Sequence, residues 1–97
     1  MSDYVLSSPA FDDLVGIYLT GVDLFGVVHA KGYHAGLART FDFRAEYPRA
    51  ARLREELRPP VRVFRYKAHM VIYDLDDEDV VTILRVRHGR EDWTSDA

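Results

Sequence analysis

The hydrophobic period of this chain changes once. Up to Tyr47-Pro48, apolar residues recur every three or four positions; after Pro59-Pro60 the period shortens to about two. A helix-period pattern does not settle as a strand, nor the reverse, so helices must come first and most strands after. With a short β-prone opening at Tyr4-Val5-Leu6-Ser7, the expected order is β-α-α-β-β-β. That is an α+β fold, a helical hairpin packed on one face of a largely antiparallel sheet.

Local chemistry sets the boundaries. Ser8-Pro9 reads as an N-cap followed by the first helical position. Asp12 and Asp13 are then expected in the first turn, where they favour the helix dipole. Phe11, Leu14, Val15, Tyr18, Val22 and Phe25 form the expected apolar stripe, and Gly26 a C-terminal stop. A second stripe runs through Ala30, Tyr33, Leu37 and Phe41. It ends before Pro48, because the residue preceding a proline avoids the α region. Residues 49–60 read as a basic connector, with a helical turn or two expected between Ala50 and Leu57. Val61–Tyr66, His69–Leu75 and Val80–His88 are the expected strands, joined by Lys67-Ala68 and the acidic turn Asp76–Asp79. A meander centred near Asp77 is expected to place His88 nearer Tyr66 than His69.

A length of 97 residues fits one domain, 1–97. No run approaches the ~20 apolar residues that cross a bilayer, and no signal-peptide-like stretch opens the chain. Cysteine is absent, which removes disulfides and thiolate zinc sites. A cytoplasmic protein without membrane association is the expectation. The formal net charge of -3 hides an asymmetry: residues 39–70 carry nine cations against four anions, while the segments on either side are acidic. Eleven of the thirteen cations are arginine, the side chain that grips carboxylate or phosphate bidentately. The middle of the chain is a candidate docking band for an acidic partner; the other reading is a solvated face with internal ion pairs.

The chemistry-bearing residues are few. His29 and His34 are five apart, off the spacing of a helical metal pair, and the acidic turn lacks the twelve-residue calcium-loop pattern. No metal and no cofactor is expected. No phosphate-binding glycine loop or nucleophile elbow occurs. Phosphodiester cleavage would need a cation for the developing charge and a proton-transfer group. Arg65, Arg85 and His88, with Tyr66 nearby, offer those types.

The ordered set Tyr4–Ala10, Phe25-Gly26, Ala30, Tyr33, Leu57-Arg58-Pro59, His69–Tyr73 and above all Ile83–Trp93 (ILRVRHGREDW) resembles the ParE branch of the RelE/ParE superfamily of type II toxin–antitoxin toxins. The resemblance spans nearly the whole chain. It implies a small bacterial toxin that poisons DNA gyrase by binding and is neutralised by a ParD-like antitoxin. It also implies a fold shared with the RelE-type ribosome-dependent mRNA endoribonucleases, without their catalytic set. Two departures from that nuclease branch fit this. The second helix offers Lys31, Arg39 and Arg44 instead of a lysine cluster, and Trp93 stands near the place of a C-terminal tyrosine. Indole is no general base at neutral pH.

On this reading the expected target surface is Arg87, His88, Arg90 and Trp93, presented where Gly89 turns the chain. Antitoxin contacts are expected at Leu14, Tyr18 and Phe25, for an apolar helix face, and at Arg58, Arg62 and Arg65, for an acidic tail. Direct sequence-specific binding of nucleic acid is not expected. The alternatives are an mRNA endoribonuclease using Arg65, Arg85 and His88, or a non-toxic member that only binds its partner.

Overall fold

The computed structural model describes residues 3–96. The elements are β1 (Tyr4–Leu6), α1 (Ser8–Phe25), α2 (Val27–Glu46), β2 (Leu53–Arg54), β3 (Val61–Tyr66), β4 (His69–Leu75) and β5 (Val81–His88). A short 3-10 turn, Trp93–Asp96, follows. The sheet runs β1-β5-β4-β3-β2, with β1 parallel to β5 and the other pairs antiparallel. The two helices pack on one face, so the α+β class and the helix-then-strand order match the period change in the sequence.

Several local expectations need correction. The N-cap of α1 is Ser7, not Ser8: its hydroxyl accepts from the Ala10 N–H at 3.1 Å and donates to the Leu84 carbonyl at 2.8 Å. One side chain thus caps the helix and ties it to β5. Asp12 and Asp13 therefore fall beyond the first turn, which carries no acid. The expected stripe on α1 is rotated. Phe11, Val15 and Phe25 are 57%, 42% and 64% exposed, while Ala10 is buried and Leu14 and Ile17 pack on the core. Apolar residues occupy most of the circumference of α1, so spacing alone left its rotation open.

Residues 50–57 form no helix. Leu53 and Arg54 pair instead with Arg62 and Val61, adding a strand the sequence reading missed. An eight-residue helix lacks the length to persist without a buried face, whereas the edge of β3 offers ready partners. Gly26, at φ +90°, makes the break between the helices in a conformation that side chains rarely tolerate.

The main core lies between helices and sheet: Leu37 and Phe41 of α2 meet Phe64, Val71, Tyr73, Ile83 and Val86. Fully burying side chains of this size contributes roughly 1.5–3 kcal/mol each. The Tyr73 hydroxyl donates to the Pro48 carbonyl at 2.8 Å, so its polar end is satisfied. On the back of the sheet a smaller cluster gathers Val61, Val63 and Ile72 under Leu57, Met70, Leu84 and Trp93.

His69 and His88 stand directly opposite each other, not offset as the simple meander implied. The β4–β5 turn is centred about one residue later than Asp77, and a register shift at Ile72/Tyr73 inserts one more residue into β5. Among the described residues no helix is long and apolar enough to cross a membrane.

Candidate functional site

A groove of about 720 Å³ runs between the helical hairpin and the end of β5. One wall is the α1 face carrying Asp13, Gly16, Ile17, Thr20 and Leu24; Tyr33, His69, Val86 and His88 line its depth; Arg85, Arg87 and Glu91 line its polar end. The groove stays open because α1 places small residues along it. A Cβ built on Gly16 meets nothing within 4 Å.

Asp13 fixes the geometry. Its carboxylate accepts from Arg85 Nε at 2.8 Å and Nη2 at 3.0 Å, and from the Val86 N–H at 2.9 Å. β1 covers β5 only as far as Ile83, so Val86 belongs to an exposed edge. Farther on, Glu91 accepts from the His88 N–H at 3.0 Å and pairs with Arg87. Two carboxylates thus cap the outward N–H groups of this edge and keep it from pairing with another strand. Burial pushes Asp13 upward, but its hydrogen bonds from Arg85 and Val86 and the charges of Arg85 and Arg87 outweigh that and hold it below the ordinary range. Glu91 is likewise held low, first by Arg87 and then by the His88 N–H.

The inner end is a Tyr–His–His cluster. Tyr33 Oη lies 2.6 Å from His69 Nδ1 and 3.3 Å from the Tyr66 carbonyl, and the His69 and His88 rings are 5.4 Å apart. Tyr33 is raised by burial and keeps its proton at neutral pH. The hydroxyl satisfies both contacts when its oxygen accepts from His69 Nδ1–H and its hydrogen is donated to the Tyr66 carbonyl. His88 Nδ1 accepts from the Arg90 N–H at 3.1 Å, which places its proton on Nε2. Burial, then the neighbouring His88, lowers the pKa of His69 despite the opposing Glu91 charge, so its ring is neutral at pH 7. The cluster offers hydrogen-bond donors and acceptors beside an apolar wall, the composition of a recognition site.

The structure separates residues that the sequence reading grouped. Of the target set, Arg87 and His88 line the groove, Arg90 sits in the exposed turn beyond β5, and Trp93 packs on the back-face cluster beneath Arg54, whose guanidinium lies 5.9 Å from its ring. Of the nuclease set, Arg85 and His88 line the same groove, with Arg85 held by Asp13, while Arg65 alternates with Val61 and Val63 onto the back of the sheet. Of the antitoxin set, Phe25 lines the groove, while Leu14 packs on the core and gives its carbonyl to His34 at 2.9 Å. Tyr18 stacks edge-on against His34. Arg62 is bonded to the Ala51 carbonyl, and Arg58 and Arg65 are exposed. Asp13, His69 and Glu91 were not among the binding residues expected from the sequence. Their roles arise from the β4–β5 register and the rotation of α1, which single-chain spacing does not carry.

Comparison with known proteins gives a consistent result. A family model described as the ParE toxin of type II toxin–antitoxin system, parDE, matches residues 4–93. Toxin ParE3 of Caulobacter vibrioides is 33% identical over 90 residues, which span 93% of this chain and 89% of that protein. A solved structure titled "Chromosomal ParDE TA system from P. aeruginosa" superposes with a TM-score of 0.76, covering 91% of this chain and 96% of that one. At 20% identity, this last match speaks for the fold.

Proposed function

This chain belongs to the ParE toxin family of type II toxin–antitoxin systems, and from that premise we propose that it poisons DNA gyrase by binding and is neutralised by a ParD-like antitoxin. The observation that carries the non-catalytic reading is the pairing of the groove's arginines with carboxylates. Arg85 is committed to Asp13, Arg87 is paired with Glu91, and Arg65 lies on the other face from His88. A phosphodiesterase needs such groups aimed at one reacting phosphate. Obstruction of another enzyme needs only a stable, shaped surface.

The turn after β5, with exposed Arg90, is the target-binding surface in this proposal, and the Arg87–Glu91 pair holds that turn in place. The groove takes the antitoxin. Its α1 wall and Phe25 suit the apolar face of a partner helix, and the polar cluster at its inner end suits that helix's hydrogen-bonding groups. Arg58 and Arg65 favour acidic residues of the same partner and raise the rate of encounter.

Inducible expression of the chain, alone and with the antitoxin reading frame expected beside it, tests this. Filamentation and DNA breaks without antitoxin, relieved by co-expression, are the expected outcome. Immediate loss of translation would point to mRNA cleavage, and normal growth to a member that binds its partner without toxicity.

A further inference from the structure

His69 and His88 close the β4–β5 ladder as directly opposed residues. Their rings are 5.4 Å apart and nearly perpendicular, at 74°, and both line the groove. In each ring one nitrogen is occupied. His69 Nδ1 meets Tyr33 Oη at 2.6 Å, and His88 Nδ1 accepts from the Arg90 N–H at 3.1 Å. Among the described residues neither Nε2 has a hydrogen-bond partner, and neither is shut off from water; Arg44 Nε is the one side-chain atom that is both buried and unpartnered. Two open ring nitrogens therefore stand together at the inner end of the groove.

The two nitrogens differ in character. A neutral imidazole carries one ring hydrogen. Tyr33 gives its own hydrogen to the Tyr66 carbonyl, so the hydrogen of His69 sits on Nδ1 and its Nε2 is an acceptor. The Arg90 N–H puts the hydrogen of His88 on Nε2, which is a donor. The charged groups at the polar end are engaged: Asp13 pairs with Arg85, and Glu91 with Arg87. A visitor to the inner end must therefore bring one donor and one acceptor. A carboxamide carries both, on separate atoms of one plane, and its stem would lie against the apolar wall of Ile17, Ala30 and Val86. A carboxylate has no hydrogen for His69, an ammonium has no lone pair for His88, and an ester has no donor. Each would leave one ring nitrogen unsatisfied. The main-chain amides of a helix are bonded to one another, so a helical partner can supply a carboxamide only from Asn or Gln.

We propose that the His69–His88 pair is a carboxamide-recognition site, filled by an Asn or Gln side chain of the helix that occupies the groove. The amide N–H donates to His69 Nε2, and the amide carbonyl accepts from His88 Nε2–H. Tyr33 and the Arg90 main chain are positioning groups, because they fix the two tautomers. The choice of occupant rests on the reading that the groove takes an antitoxin helix; the recognition chemistry does not.

Four small probes with one apolar body test the chemistry: phenylacetamide, phenylacetate, methyl phenylacetate and phenylethanol. Long-range nitrogen–proton NMR of the full chain first reads the tautomers, expected to be Nδ1–H at His69 and Nε2–H at His88. Phenylacetamide should then shift both Nε2 signals at neutral pH, and the other three should bind at least about tenfold more weakly. His88→Phe should lose the response. The opposite tautomer at either ring, an equal response to any of the other three probes, no response to phenylacetamide up to its solubility, or a folded His88→Phe that still responds overturns the proposal. Where the variant does not fold, the probes on the unaltered chain decide. A second arm tests the occupant. Each Asn and Gln of the antitoxin encoded beside this chain is exchanged for its isosteric acid, and binding is followed by fluorescence anisotropy. One position is expected to lose at least about tenfold in affinity; no such position overturns the helix occupant. An antitoxin that does not bind at all refutes the groove reading and that occupant with it, while the phenylacetamide response still decides the site.

Discussion

Replacing Asp13 with alanine should weaken the fold more than removing the carboxylate of the Arg49–Asp79, Arg52–Glu56 or Arg87–Glu91 pair, each of which is more exposed. The Asp13 carboxylate makes three hydrogen bonds, at 2.8, 3.0 and 2.9 Å, to Arg85 and the Val86 N–H. The Asp13 side chain is 15% exposed and that of Arg85 25%. Removing one partner of a fully buried pair costs about 3–5 kcal/mol, because the remaining charge is stranded. Arg85 keeps some access to water, which lowers the expectation to about 2–4 kcal/mol. In a domain of this size that corresponds to a fall in Tm of roughly 10–25 °C. Urea melts followed by Trp93 fluorescence and far-UV circular dichroism measure it, since Trp93 packs on the back-face cluster and reports from the far side of the sheet. Arg85→Ala and the double variant complete the cycle. The double variant should lose at least about 1.5 kcal/mol less than the sum of the singles. A loss below about 1 kcal/mol for Asp13→Ala, the range of exposed pairs, or strict additivity would refute the assignment of Asp13 as the clamp between α1 and β5.

Three further outcomes follow from the same geometry. An unfolded imidazole titrates near 6.5 and His69 is depressed below that in the fold, so its contribution is full above 6.5 and is lost as pH falls toward the folded value; His69→Gln should remove that part of the stability slope in melts from about pH 7.5 to 5. Gly36→Ala should cost about 1–3 kcal/mol, because the added methyl overlaps the Tyr66 hydroxyl and ring carbon Cζ, and Tyr66→Phe, which removes the closer of the two overlaps, should recover only part of the loss in thermal melts. Gly16→Leu projects into open groove, so stability should hold or rise by up to ~1 kcal/mol while antitoxin affinity, read by fluorescence anisotropy, drops at least tenfold.

What could be read from the sequence divides along physical lines. The class and order of elements were legible because each period reports local geometry: Ala30, Leu37 and Phe41 did turn inward, and Gly26 did break the helices. The rotation of α1 was not legible, because Phe11 and Val15 carry the same period as Leu14 and its neighbours, and only the sheet decides which face is buried. β2 was missed because two residues carry no period; its pairing exists because the β3 edge is there to receive it. The partners of the site side chains were not legible: Arg85 and Arg87 pair with Asp13 and Glu91 at the strand edge, while His88 meets His69. The ion pair between Asp13 and Arg85 joins residues 72 positions apart. No spacing rule spans that interval.

On the proposed reading, this protein acts by occupying gyrase and breaks no bond itself. Purified chain, free of antitoxin, should be incubated with gyrase, ATP and closed-circular plasmid, and in parallel with translating ribosomes and a defined mRNA. The expected result is trapped gyrase cleavage complexes, seen as linear plasmid after denaturation and weakened by Arg90→Ala, with the mRNA left intact. Intact plasmid together with mRNA cut on the ribosome, the cutting lost in His88→Ala, would contradict the claim.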